Sequence, residues 1–492
     1  MAYTEFYVNP SATGASNFNA GSTDGAPVFS ADNGNFVSTG TYTVVGGAST
    51  AAVQIGMFAS IYLNTTTGNT TVVARITNVT ATTIVVSTTV RVGAALTAVA
   101  GTGNVNIRVG GAWTGPSDAS GFPFTYTGTT LFFTSSLKNT NGDFPRCNFK
   151  DTTYNITTGI TWTQTLATGT LMEGYSSIPG DGGKAIISGS GVTGTSIVLL
   201  TLGVGVGSYI KNFIFDNNGD TGTSDGVVVG GSVHTLERIG FYNIRGRGLF
   251  ITGTNVTCVE SEAYNCNISN TANYSGFLAT TTATSVGFIR CIAWNNAGSN
   301  TSGFIATGVS PTFLGCIAYN NGNIGFKMAI TTASINSRIS NCVADKNTND
   351  GIDFSSTSTS ALTNYVENCI LTRNGGFGIN ASGASTVPRN TGIYNCMFGT
   401  NTSGTIGGLQ SWTESNSISL PINQSPFVNA DAGDFDLNTS VSAGISALNV
   451  GRGTFLQAAS AGFSGTLSYN DIGASQDFRS ASTSTEKTFL FC

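Results

Sequence analysis

The stretch FLGCIAYNNGNIGF, Phe313–Phe326, holds a cysteine, three asparagines and a Gly-Phe pair within fourteen residues, and most of that pattern returns along the chain. Cys291, Cys316, Cys342, Cys369 and Cys396 follow one another at intervals of 25, 26, 27 and 27 residues. Five residues after each cysteine stands an asparagine: Asn296, Asn321, Asn347, Asn374 and Asn401. A glycine followed by Phe or Ile comes a few residues later, as in Gly303-Phe304, Gly325-Phe326, Gly351-Ile352 and Gly378-Ile379. A fixed period of this length is the signature of one supersecondary unit stacked on copies of itself.

The residue types say which unit. Segments between turns are short, rich in Val, Ile, Thr and aromatics, and broken by Gly, Asn, Ser and Asp, which reads as strand and turn. No window sustains an amphipathic helical period. A coil of two or three short strands takes roughly 20–30 residues, and stacking coils pairs each strand with its copies above and below, about 4.7–4.9 Å away. The expected fold is therefore all-β, a right-handed parallel β-helix of roughly ten coils.

In such a stack the cysteines lie over one another on the inward face as small buried side chains. Their Cβ vectors run parallel instead of converging, which disfavours disulfides, and the count of nine is odd. A zinc site is not expected, because no C-x-x-C pair occurs and His234 is the single histidine. The asparagines are expected to form a second ladder, each amide bonding to the same amide one coil along.

Charged residues are only 9% of the 492-residue chain and the net charge is −5, so there is no basic footprint for nucleic acid or an anionic membrane. With 40% hydrophobic and 10% aromatic residues the chain reads as packed, its surface supplied by Ser, Thr, Asn and Gly. The beginning, MAYTEFYVNP, has no basic and apolar signal pattern, and the expectation is a protein assembled in a host cytoplasm. Four regions are expected: an arm and small antiparallel β unit over 1–110, a connector over 111–153 with a short capping helix opening at Ser117, the β-helix over 154–408, and a closing cap over 409–492.

The repeat NC-x-x-x-x-N…G-[FI] resembles the right-handed β-helix repeats of the pectate-lyase-like superfamily. GYSSIPGDGGKAIISG, Gly174–Gly189, is similar to an early-coil motif of β-helix proteins from bacteriophages and bacteria. The closing stretches SPFVNADAGDFDL, SAGISALNVG and NDIGASQ resemble the end of the same group, and the likeness covers about residues 104 to 477. It implies the fold; its activities range over lyases, hydrolases, epimerases, adhesins and inert phage tail and capsid parts.

Polygalacturonase-like members carry Gly-His-Gly and Asn-Thr-Asp motifs, and pectate lyases carry clustered Asp beside Arg or Lys with calcium. His234, in GSVHTLERIG, matches neither histidine motif and reads as a strand or turn residue. Glycoside hydrolysis needs two carboxylates about 5–9.5 Å apart. The candidates are Glu260 with Glu262, and Asp216, Asp220 and Asp225 in FDNNGDTGTSDG, against the plain reading of turn residues. DKNTNDGID, Asp345–Asp353, imitates a calcium loop, but its glycine is one place late and no Glu stands at the twelfth position. IRGRG, Ile244–Gly248, puts two arginines on a bend and reads as a solvated turn. No metal and no cofactor is expected.

In the repeat frame Ala293, Ala318, Ala344, Leu371 and Phe398 are expected to point inward with the cysteines. Alternation then sends Ile292, Ile317, Val343, Ile370 and Met397 outward as an apolar stripe. Beside it runs an aromatic row of Tyr242, Tyr264, Trp294 and Tyr319. The stripe is expected to pack against another subunit, most simply in a homotrimer, and Tyr264, Trp294 and Tyr319 form the alternative, a sugar-stacking platform. The stripe could also be core if the parity is off by one. The functional expectation is a bacteriophage virion component of the tail or capsid surface, non-catalytic and host-recognising, with other virion proteins and a host-surface glycan as partners. A tailspike-type polysaccharide lyase or hydrolase and a bacterial adhesin are the alternatives.

Overall fold

The computed structural model describes residues 3–11, 24–32, 35–37, 39–44, 48–65, 68–93, 105–110, 112, 144–162, 170–203, 207–296, 298–329, 336–355, 362–381, 389–408, 411–420, 426–437, 451–452 and 469–470. Its architecture is a parallel β-helix with a seven-stranded antiparallel sheet at its beginning.

One coil shows how the sequence turns. Gly287–Ile289 forms a strand of the first sheet, Arg290 turns the chain, Ile292–Trp294 forms a strand of the second, Asn295 turns it again, and Ser302–Ala306 joins the third. The next coil repeats this with Thr312–Leu314, Ile317–Tyr319 and Phe326–Met328, each in parallel register with its predecessor. The third sheet runs through ten strands, from Ile160–Trp162 to Gly404–Gly407.

The corners are left-handed. Asn341, Asn368 and Asn395 turn the chain from first to second sheet, and Asn217, Asn243, Asn265, Asn295 and Asn320 turn it out of the second, all with φ between 44° and 56°. Asparagine tolerates that conformation because its short amide bonds locally, so the tight bends select it.

Alternation within each strand fills the interior. Ala293, Ala318, Ala344, Leu371 and Phe398 point inward into one continuous core, together with Cys291, Cys316, Cys342, Cys369 and Cys396. Phenylalanines stack along the axis: Phe277 on Phe304 at 4.9 Å and 7°, Phe304 on Phe326 at 5.0 Å and 5°, and Phe288 on Phe313 at 5.1 Å and 13°. Those centroid separations follow the strand spacing. The eight described cysteines are buried and unbonded, and desolvation pushes the thiols of Cys291, Cys342 and Cys396 well up from their ordinary value.

The asparagine ladder is continuous. Asn296 Nδ2 donates to Asn321 Oδ1 at 2.8 Å, Asn321 to Asn347 at 2.9 Å, Asn347 to Asn374 at 3.0 Å and Asn374 to Asn401 at 2.9 Å. The recurring glycine follows from it. A Cβ on Gly351 would meet Gly378 O at 2.7 Å and Asn374 Nδ2 at 2.9 Å, so the ladder leaves no room for one.

The ends differ from the expected boundaries. The helix starts before residue 154: Tyr3–Val8 pairs in parallel with Phe144–Lys150, which pairs with Thr170–Tyr175. It runs past 408, since Ser411–Ser415 and Ile418–Ser419 continue the first and second sheets. The antiparallel sheet spans Pro27–Gly110, and its Phe58 and Val73 pack into the helix core beside Phe6. The capping helix expected at Ser117 lies outside the described residues. The segment Phe427–Leu437, expected in a cap over the open end, is instead a hairpin on the flank of the second sheet.

Candidate functional site

Two columns of outward side chains run up the second sheet. Register places Glu262, Ile292, Ile317, Val343, Ile370 and Met397 in one. The other carries Asp216, Tyr242, Tyr264, Trp294, Tyr319 and Asp345. The parity expected from the repeat is therefore right, since the stripe lies outside the coil core.

What covers the stripe is different. Val343, Ile370 and Met397 are fully buried under Phe427, Ala430 and Phe435 of the chain's own hairpin, with Ile317 and Tyr319 packed at its border. This corrects the expectation of another subunit at those three positions: a single chain already removes them from water. We call residues 427–437 the clasp. A 3-10 turn at Ala430–Ala432 shapes its tip, capped by Asn429 and closed by Gly433 at φ 80°.

Charge fixes the clasp in place. Arg373 donates to Asp345 at 2.9 and 2.6 Å and to Asp431 at 2.9 Å, and Lys346 lies 3.4 Å from Asp431. Asp345 is 0% exposed and also accepts from Thr372 at 2.7 Å. The Arg373 guanidinium, helped by Lys346, holds the Asp431 carboxyl below its ordinary range.

Between the clasp and the aromatic row lies a cleft of about 450 Å³. Glu262, Ile292, Trp294, Asn295, Tyr319 and Asn320 line it from the coils, and Asp431, Gly433 and Phe435 line it from the clasp. Trp294 lies 4.1 Å from Tyr264 at 31° and 5.6 Å from Tyr319 at 2°, and Tyr319 meets Phe435 at 4.9 Å. Rings piled along the axis give their faces to one another, so the cleft meets ring edges and hydroxyls. A platform of open ring faces, the form expected for sugar stacking, is not how Trp294 and Tyr319 are arranged.

Glu262 joins this row. It accepts from Tyr242 Oη at 2.9 Å and from Trp294 Nε1. Burial, with the charge of Glu262 adding, pushes the Tyr319 hydroxyl up to about 12, so it stays a donor at neutral pH.

The other carboxylates are placed elsewhere. Glu260 occupies a left-handed corner, φ 47°, with Arg238 at 3.2 Å and Arg290 at 2.5 Å, corner residues of adjoining coils. Glu260 and Glu262 thus sit in separate networks, because the corner breaks the alternation that would align them. Asp216 accepts from Asn243 at 2.9 Å. Asp225 holds Arg247 at two contacts of 2.7 Å, and that guanidinium lies over Phe250 and Tyr274, aromatic neighbours the reading of IRGRG as a solvated turn did not include. In the calcium-like stretch Asp345 faces Arg373, Asn347 belongs to the ladder and Asp350 accepts from Phe377 N–H at 2.6 Å, so these groups serve different networks. His234 is buried, its Nδ1 accepts from Ser208 N–H at 3.2 Å, and desolvation lowers its pKa.

Comparison with known proteins agrees with the coil geometry: residues 202–398 match the family described as the right handed beta helix region. The fold is a right-handed parallel β-helix. Structures similar to the β-helix include the A-module of the Azotobacter vinelandii mannuronan C-5 epimerase AlgE4, 14% identical, covering 57% of this chain and 90% of that one with a TM-score of 0.41. Geobacillus virus E2 ORF18 is 15% identical and covers 59% and 56%, with a TM-score of 0.40. The tailspike protein gp49 of Pseudomonas phage LKA1 is 13% identical and covers 80% and 64%, with a TM-score of 0.32. These likenesses are of fold. No match emerges among curated proteins.

Proposed function

We propose that this β-helix is a surface component of a phage particle, in the tail or capsid, and that it recognises a host glycan in the cleft without cleaving it. The observation that carries the reading is the fate of the carboxylates. Glu260 is held between two arginines, Asp216 bonds to Asn243 and Glu262 is tied to Tyr242 and Trp294, yet the cleft beside them stays open. A half-enclosed site lined by aromatic edges, amides and carboxylates suits the mixed apolar and hydroxyl surface of a sugar. The closing-segment resemblance and a surface built from Ser, Thr, Asn and Gly support the particle assignment. A homotrimer would contact other copies through faces other than the clasped half of the stripe.

The test pairs binding with product analysis. Labelled glycans from candidate host surfaces are expected to be retained by the protein and recovered at unchanged length, and Trp294→Ala is expected to weaken retention at least about tenfold, as loss of a central aromatic contact does. Immunogold labelling is expected to place the protein on the particle. Shortened glycan products that disappear in Glu262→Gln would replace recognition by catalysis.

A further inference from the structure

We infer that the cleft selects uncharged glycans and turns acidic ones away, and that Glu262 sets this selectivity; the inference rests on the recognition reading above. Among the described residues the charged side chains lining the cleft are Glu262 and Asp431, and no cation lines it. Their surroundings differ. Asp431 is compensated by Arg373 and Lys346, which bond to it but do not line the cleft. Glu262 is bonded only to neutral donors, the Tyr242 hydroxyl and the Trp294 indole, and makes no ion pair among the described residues. Its negative charge therefore acts on whatever enters.

A carboxylate oxygen that accepts one bond keeps capacity for another. Glu262 can accept from a sugar hydroxyl while keeping Tyr242 and Trp294, and Asp431 offers the same from the clasp. For a uronate the balance reverses: a ligand carboxylate brought beside Glu262 meets a like charge in a site partly shielded from water, and such juxtapositions cost enough to exclude a partner.

The experiment uses the full chain, with dextran and mannan oligosaccharides as neutral probes and alginate and polygalacturonate oligosaccharides as acidic ones, by calorimetry at low and moderate salt. The wild type is expected to bind at least one neutral probe and to bind both acidic probes at least about tenfold more weakly. Glu262→Gln keeps the size and the acceptor oxygen, and is expected to narrow that gap by about tenfold; Glu262→Asp, which keeps the charge, is expected to preserve it. Preference of the wild type for an acidic probe, or a gap unmoved in Glu262→Gln, overturns the selectivity and leaves recognition standing if Trp294→Ala still weakens binding by about tenfold. Failure of all four probes to bind overturns recognition and the inference with it.

Discussion

Asparagine occupies two kinds of position in this chain. Asn341 and Asn368 hold a corner's left-handed conformation, and there too Asn368 Nδ2 donates to Asn341 Oδ1 at 3.4 Å, whereas Asn347 belongs to the buried ladder. Asn347 Nδ2 donates to Asn374 Oδ1 and to Ala318 O, both at 3.0 Å, and its Oδ1 accepts from Asn321 Nδ2 at 2.9 Å and Asn321 N–H at 3.2 Å. Asn347→Ala leaves several of these buried groups short of a partner. At roughly 1–3 kcal/mol for an unsatisfied buried group, partly relieved by the bonds that remain, the expected loss is about 2–4 kcal/mol in denaturant unfolding. A loss below about 0.5 kcal/mol would remove the ladder as a stabilising element. The cysteines beside it stack without disulfides. A thiol reagent is expected to label few of them in the native protein and up to nine after denaturation without reductant, counting every cysteine in the chain. Two or more disulfides in the non-reduced, unfolded chain would contradict a free-thiol core.

The clasp shows where local pattern stops informing. Period and alternation sufficed to put Leu371 inside and Ile370 outside, because within a short strand the face of a side chain depends only on its neighbours' parity. The cover over Ile370 comes from Phe427 and Phe435, more than fifty residues later, and nothing in the repeat announces them. Glu260 and Glu262 were misaligned for a related reason: alternation does not survive a left-handed corner, and Glu260 is one. Ile370→Asp is expected to release the clasp, seen as new proteolytic cleavage within residues 427–437, while the far-UV spectrum of the helix persists. Leu371→Asp, one position away, is expected to prevent folding, since it buries an unpaired charge in the coil interior. Equal outcomes for the pair would erase the distinction between the two faces. Acid is expected to loosen the same element. Asp431 has its folded pKa depressed by Arg373, so its contribution is full above the ordinary aspartate value near about 4 and fades as pH falls through the lower folded value. Cleavage of the clasp should rise over that acidic window, and Asp431→Asn should show the raised level at neutral pH.

Across the whole molecule, each coil touches mainly the coils on either side, so stability is expected to behave as a sum of neighbour terms instead of one shared core. Phe304 tests this because it sits mid-stack, fully buried, with Phe277 at 4.9 Å below and Phe326 at 5.0 Å above. Phe304→Ala removes a ring whose loss in a close-packed core costs about 3–5 kcal/mol. In a compact globular domain that loss would lower protection against hydrogen exchange throughout. Here the exchange is expected to accelerate in Ser275–Ala279, Ser302–Ala306 and Phe326–Met328, the strands of the third sheet that lose ring contacts, and to stay unchanged in Leu200–Leu202 and Gly404–Gly407 of the same sheet. The asparagine ladder spans Asn296 to Asn401 and so adds its own coupling over the coils above Phe304. Acceleration should accordingly carry over more coils on that side than on the side toward Leu249–Ile251, which the ladder does not reach. Equal acceleration in all ten strands of the third sheet would mean that the helix opens as a single unit, and that its repeats share one cooperative transition.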